Sequence, residues 1–199
     1  LKDYLDGTKP GVDWTDVMFR TGLTQNYKVV FTKGTEGMQA YVSGNYMKNE
    51  SVLEGGQYER YSAKVNLKTQ LKKWLDVTLD FNASRGVGKG VNSLDGSPNN
   101  PLYVAFNSSP TMEIFDENGN YMQDPFCVIE PNAYGALVGN QSERRSDVVN
   151  GHIDLKFNIC KGFTFTTSNG FDYYNGTNYS FTSNLWTRTH QANMGNGNT

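Results

Sequence analysis

The chain has 199 residues, 37% hydrophobic and 13% aromatic, with a net charge of -2. That composition excludes a disordered chain, and no basic cluster marks a nucleic-acid site. No apolar run approaches the roughly 18 residues of a membrane helix, which excludes helical membrane proteins but leaves barrels open, because their strands turn only alternate residues outward. Cys127 and Cys160 are too few to read a redox compartment. The strand reading below puts them at opposite ends of the wall, so no disulfide is expected between them.

Residues 1–23 read as a lead-in, in which Asp13 is placed to cap a short helix running to Arg20, with Trp14, Val17 and Met18 on one side. Six strands are then expected near 24–33, 38–48, 58–70, 75–85, 147–160 and 163–174. Three carry a period of two almost without error. Tyr61, Ala63, Val65 and Leu67 alternate with Arg60, Ser62, Lys64, Asn66 and Lys68. Leu75, Val77, Leu79, Phe81 and Ala83 alternate with Asp76, Thr78, Asp80, Asn82 and Ser84. Val149, Gly151, Ile153, Leu155, Phe157 and Ile159 alternate with Asn150, His152, Asp154, Lys156 and Asn158. Such strands have one apolar and one wet face, and runs of about ten residues match a tilted strand that crosses a bilayer.

The connections alternate between short and long. Gly34 to Gly37, Leu71 to Trp74 and Lys161 to Gly162 are tight, whereas Asn49 to Gln57, residues 86–146 and residues 175–199 are long. A compact soluble domain rarely carries a loop as long as 86–146. An outer-membrane barrel does, with short turns on one side and long loops on the other, although six strands are too few to close one. The fold class expected is therefore all-β, an antiparallel transmembrane β-barrel segment whose chain is a piece of something larger. Tyr46, Tyr58, Tyr61, Trp74, Phe163, Tyr173 and Tyr174 stand near strand ends, where aromatic girdles form. A tight turn at Leu71 to Trp74 is expected to pair Lys68 with Asp76 and Lys64 with Asp80, setting Leu67 beside Val77 and Val65 beside Leu79.

No motif carries catalysis. Gly86, Gly88, Lys89 and Gly90 lack phosphate-loop spacing and read as the start of a flexible loop. Asp116 to Asn120 resembles a calcium loop in composition only, and Asn118-Gly119 reads as a hairpin turn between Thr111–Phe115 and Tyr121–Gln123. His152 and His190 lack partners at ligand spacing, so no metal, cofactor or catalytic residue is assigned. The long loop instead gathers aromatic side chains, and Tyr103, Phe106, Phe115, Tyr121, Phe126 and Tyr134 are the candidate contacts for a ligand or a covering protein. Such a loop is expected to fold into an ordered cap.

Val12-Asp13-Trp14-Thr15-Asp16, Phe19-Arg20-Thr21-Gly22, Gln25-Asn26-Tyr27, Ser43-Gly44-Asn45-Tyr46 and Tyr58 to Leu67 occur in that order, followed by Ser109-Pro110, Asp116 to Tyr121 and Gly151 to Gly162. Together they resemble the SusC/RagA family of TonB-linked outer-membrane proteins over nearly the whole chain. Lys33-Gly34 replaces a common glycine pair, and Lys64 a frequent arginine.

The resemblance implies a barrel of about 22 strands, blocked by an N-terminal plug behind a TonB-interacting segment, neither of which is expected here. On that reading 1–23 leads from plug to barrel, and 24–199 is barrel wall with extracellular loops at 86–146 and 175–199. It also implies active import across the Gram-negative outer membrane of Bacteroidetes, the cargo being an oligosaccharide or glycan, or a peptide. The implied partners are a SusD-like surface lipoprotein, TonB through the plug side, and outer-membrane lipid. Two other readings stand beside it: a soluble β-sandwich carbohydrate-binding module, and an outer-membrane β-barrel enzyme.

Overall fold

The computed structural model describes residues 2–90, 100–122, 132–139, 141–182 and 196–198. After α1 (Lys2–Leu5) and α2 (Trp14–Met18) the chain enters β1 (Thr24–Thr35), β2 (Met38–Glu50), β3 (Gln57–Lys72) and β4 (Leu75–Gly90). Two short helices, α3 (Pro101–Asn107) and α4 (Ala133–Gly139), precede β5 (Gln141–Cys160) and β6 (Phe163–Thr182), and β7 (Asn196–Asn198) adds an edge. All seven strands lie in one antiparallel sheet in sequence order, β1 to β7. No second sheet covers either face among the described residues, so the sandwich reading finds no support in the fold.

All six expected strands are present, and each runs further than the alternation suggested. β4 continues through Gly86, Gly88, Lys89 and Gly90, which pair with β5 rather than opening a flexible loop. Glycine is tolerated there because Tyr58 leans into the space, its hydroxyl 2.8 Å from where a Cβ of residue 86 would stand. β6 likewise extends past Asn175 to Thr182, where β7 pairs with it. The tight turns shrink to residues 36–37, 73–74 and 161–162, all at one end of the sheet. The other end carries 51–56 and the connection from β4 to β5, so the one-sided loop lengths are a property of the fold.

The register of β3 on β4 corrects the expected ladder. Lys68 faces Thr78 and Lys64 faces Asn82, while Leu67 meets Leu79 and Val65 meets Phe81. The cause is a bulge: the ladder shifts between Gln70 and Lys72, leaving Leu71 unpaired, and the turn is reduced to Lys73-Trp74. The hairpin apex therefore falls one residue later and every pair slides by two. An even slip leaves each side chain on its expected face. The aspartates find amides in place of lysines: Asn66 Nδ2 donates to Asp80, and Asn158 Nδ2 donates to Asp76 Oδ2 at 3.1 Å.

Residues directly opposite share a face, so the pairing sorts the whole sheet. One face carries Val29, Phe31, Val42, Val65, Leu67, Leu79, Phe81, Ile153, Leu155 and Phe171. The opposite face carries Lys28, Asn45, Ser62, Asn82, Asn150 and Asp172 along a similar line. The apolar face is bounded by rings at both ends. Toward the long loops Tyr27 stacks on Tyr46 at 6.4 Å and Tyr61 lies tilted to Tyr46 at 5.0 Å, and Phe157 lies 6.2 Å from Trp74 and 6.0 Å from Phe165 toward the short turns. Tyr58 and Tyr174, expected in a girdle, instead stand at alternate positions on the polar face, by pairing with Gly88 and Val148.

The buried core does not lie on the sheet at all. Trp14, Met18, Leu53, Val104, Ala105, Met112, Ala133, Ala136 and Leu137 form it, at the long-loop end. None of the large side chains of the apolar sheet face is buried: Val29 is 76% and Phe31 60% exposed, and Val65, Leu67, Leu79 and Phe81 are half-buried.

Candidate functional site

Three connections build the cap. Asp13 has extended backbone angles, and its carboxylate accepts from the backbone N–H groups of Thr15 (2.9 Å) and Asp16 (3.4 Å), starting α2 as its spacing predicts. The Thr15 hydroxyl hydrogen bond, and then those amides, hold the Asp13 carboxyl below the usual carboxylate range. The helix stops at Met18 rather than Arg20, because Phe19 turns extended and bridges to Leu53. Trp14 and Met18 are thereby buried against α3 and α4. The lead-in is thus a wall of the cap, not a bare linker.

Its hold on the long loop is polar as well as apolar. Trp14 Nε1 donates to the Ser109 carbonyl at 3.0 Å and the Val12 N–H to the Pro110 carbonyl at 2.7 Å. Lys9 forms an ion pair with Glu113, whose carboxyl also accepts from the Tyr4 hydroxyl at 3.3 Å. The Lys9 hydrogen bond is the main reason the Glu113 carboxyl titrates below its usual range and Lys9 above its own.

The expected hairpin at Asn118-Gly119 is present. Phe115 and Tyr121 form a β-bridge, Gly119 adopts φ +81°, and Asp116 Oδ1 accepts from the N–H groups of Asn118 and Asn120 at 2.9 and 2.8 Å. Those amides, led by Asn120, lower the Asp116 pKa. The carboxylate that gave this segment its calcium-like look is engaged in holding the turn.

Asn132 then ties hairpin to helix. Its Nδ2 donates to the carbonyls of Ile114 (2.9 Å) and Met122 (3.0 Å), and its Oδ1 accepts from the N–H groups of Tyr134 and Gly135, both at 3.0 Å, at the head of α4. The residue is buried. Sequence reading passed over it, although an asparagine after Pro131 and before Ala-Tyr-Gly-Ala-Leu is a legible helix start.

The result is an aromatic trio. The Phe115 and Tyr121 rings stack at 5.3 Å, and Tyr134 meets each at 6.3 Å, edge-on to Phe115 and tilted to Tyr121. Gly135 makes room, since a Cβ there would stand 3.0 Å from Tyr121 Cγ. Tyr103 and Phe106 lie apart on α3, 39% and 66% exposed. Phe126 lies outside the described residues, as does Cys127. Beside the trio, a groove of about 420 Å³ is lined by Tyr134, Leu137, Val138, Lys89, Glu143 and Tyr179, among others. Stacked rings with polar rims can hold a sugar face or a peptide side chain. No cluster of three or more metal-ligating groups occurs among the described residues.

No family model matches the chain. In sequence it is similar to TonB-dependent receptor P3 of Formosa agariphila, 23% identical over 87% of this chain and 18% of that protein. It is also similar to TonB-dependent receptor SusC of Bacteroides thetaiotaomicron, 23% identical over 87% of this chain and 20% of that protein. In fold it is similar to a chain of the RagAB peptide transporter, with a TM-score of 0.65 and 21% identity, covering 87% of this chain and 20% of that one. The chain thus spans about a fifth of the length of the relatives it matches. In sequence and in its open antiparallel sheet the chain is similar to a stretch of a SusC/RagA-type TonB-dependent protein.

Proposed function

We infer that the sheet is part of the wall of an outer-membrane barrel that imports a large nutrient, a glycan or a peptide, by a TonB-dependent cycle. The observation that carries this reading is the apolar face, which lacks charge from Tyr61 to Leu71 on β3 and is flanked by rings at each end. On β3 the rise from Tyr61 to Leu71 is roughly 33 Å along the strand, or about 25 Å at a tilt of about 40°, the height of a hydrocarbon band. The polar face then lines the lumen. Residues 2–23, 100–122 and 132–139 belong to the extracellular side, because the short turns lie at the other end.

The wall is read as a non-catalytic frame, in keeping with relatives that are receptors and importers. Its cap offers the contact surface: Phe115, Tyr121 and Tyr134 together, with Tyr103 and Phe106 as outlying contacts, for a SusD-like lipoprotein lid or for cargo. RagAB is described as a peptide importer and SusC as a TonB-dependent receptor, which supports an import role.

Phe115→Ala combined with Tyr121→Ala in the complete receptor tests the role of the trio. Removing two hot-spot rings is expected to weaken capture of the lid lipoprotein at least tenfold, or to raise the cargo concentration for half-maximal uptake by a similar factor. Unchanged capture and unchanged uptake, at normal surface abundance, would refute it.

A further inference from the structure

The two ends of the apolar face treat their charges in opposite ways. Toward the long loops, the outward cations on β2, β4 and β5 are Lys48, Arg85, Lys89 and Arg145, and each has a carboxylate partner. Lys48 meets Glu50 at 2.7 Å, Arg85 meets Asp147 at 2.6 Å, and Lys89 and Arg145 both reach Glu143, at 3.5 and 2.5 Å. Toward the short turns stand Lys33, Lys72, Lys73 and Lys161. None of them forms an ion pair among the described residues.

Backbone geometry explains how the short-turn end presents them. The N–H of Gln70 donates to the Gly37 carbonyl of the neighbouring turn at 2.9 Å, and the N–H of Asn158 donates to the Trp74 carbonyl at 2.8 Å. Immediately after each donor the ladder shifts, releasing Leu71 in one hairpin and Ile159 in the other. A bulge sets two residues against one, so the residue after it keeps the same face: Lys72 pairs with Leu75, which lies opposite Phe157 on the apolar side. Each hairpin thus ends in an outward apolar residue, Leu71 at 60% and Ile159 at 61% exposure, with a lysine at the turn that follows. Trp74 and Phe163 flank them, 52% and 58% exposed.

We propose that this rim, Leu71-Lys72-Lys73-Trp74 with Ile159 and Lys161, is a docking surface for the anionic headgroups of glycerophospholipids in the leaflet on the short-turn side. The proposal rests on the barrel reading above. Apolar bulges enter the acyl region, rings sit at the interface, and unpaired ammonium groups reach the phosphodiesters beyond. Lipid A phosphates fit less well, because the outward cations on the side of the long loops are already neutralised within the protein.

The complete receptor, with every cysteine except Cys160 replaced by serine, supplies a local probe. Cys160 is exposed and adjoins Ile159, and a fluorophore on it reports nearby lipids by bromine quenching. In nanodiscs doped with tail-brominated phosphatidylglycerol or tail-brominated phosphatidylcholine, quenching by the anionic lipid is expected to be about fivefold more efficient, the preference of roughly one lysine near its headgroup. Lys72→Gln, Lys73→Gln and Lys161→Gln together are expected to bring the two lipids to parity. Equal quenching in the native receptor, or a preference that survives the triple substitution, would overturn the proposal. So would relief of quenching by unlabelled lipid A at lower concentration than by unlabelled phosphatidylglycerol. Quenching by neither brominated lipid would overturn the barrel reading along with it, whereas strong but equal quenching by both would spare that reading.

Discussion

Leu79→Arg is expected to destabilise the complete receptor in lipid by about 2–4 kcal/mol, the cost of a cation near the bilayer midplane on a barrel's outer face. Leu79 lies between Leu67 on β3 and Ile153 on β5, in the middle of the apolar face. Its neighbour in the chain, Thr78, lies between Lys68 and Asp154 on the other face. There an arginine meets water and a carboxylate, so Thr78→Arg should change stability by no more than about 0.5 kcal/mol. Denaturant titration of the two variants folding into vesicles measures both. Equal costs at these adjacent positions would contradict a sheet with one face in hydrocarbon and one in water.

Trp14→Ala should produce a large effect confined to the cap. The indole is 4% exposed and packs with Met18, Val104 and Ala136, and truncating a buried tryptophan costs about 3–5 kcal/mol. It also removes one of the two donors to the Ser109 carbonyl, leaving only the Met112 N–H. Because no side chain of this core lies on a strand of the sheet, amide exchange should accelerate in α2, α3 and α4 while the ladder amides of β3 and β4 keep their protection. Trp14→Phe, which retains most of the apolar contact, should show a smaller acceleration. Uniform loss of protection across the strands would mean that cap and wall are one cooperative unit.

The contrast between these two regions also explains what could be read from the sequence. Strands β3, β4 and β5 were legible because period two is local: each residue's face follows from its neighbours. The faces of Leu67 and Leu79 therefore came out correctly even though their register did not. Register depends on where a hairpin turns, and the bulge at Leu71 leaves no mark in the alternation, since one extra apolar residue beside a lysine looks like an ordinary strand end. The same device at Ile159 passed unseen for the same reason.

Local pieces of the cap were legible, the Asp13 start of α2 and the Asn118-Gly119 turn, but its assembly was not. Phe115, Tyr121 and Tyr134 stood out as aromatic residues in a loop, but what gathers them is Asn132, with bonds to Ile114 and Met122 far away in the chain. The contact of Trp14 with Ser109 spans a still longer stretch. Neither leaves a periodic trace, because a cap assembled from three connections has no repeating geometry. Tyr103 and Phe106 share the composition of the trio without joining it, which shows how little composition says about convergence.

A nitroxide moved residue by residue along β4, from Val77 to Ala83 in the complete receptor in lipid, tests most directly whether the apolar face meets acyl chains. Odd positions should be accessible to oxygen and shielded from a water-soluble nickel chelate, and even positions should show the reverse, with a strict period of two. Odd positions closed to both reagents would place a second protein layer over Val77, Leu79 and Phe81, and the barrel-wall account would be wrong.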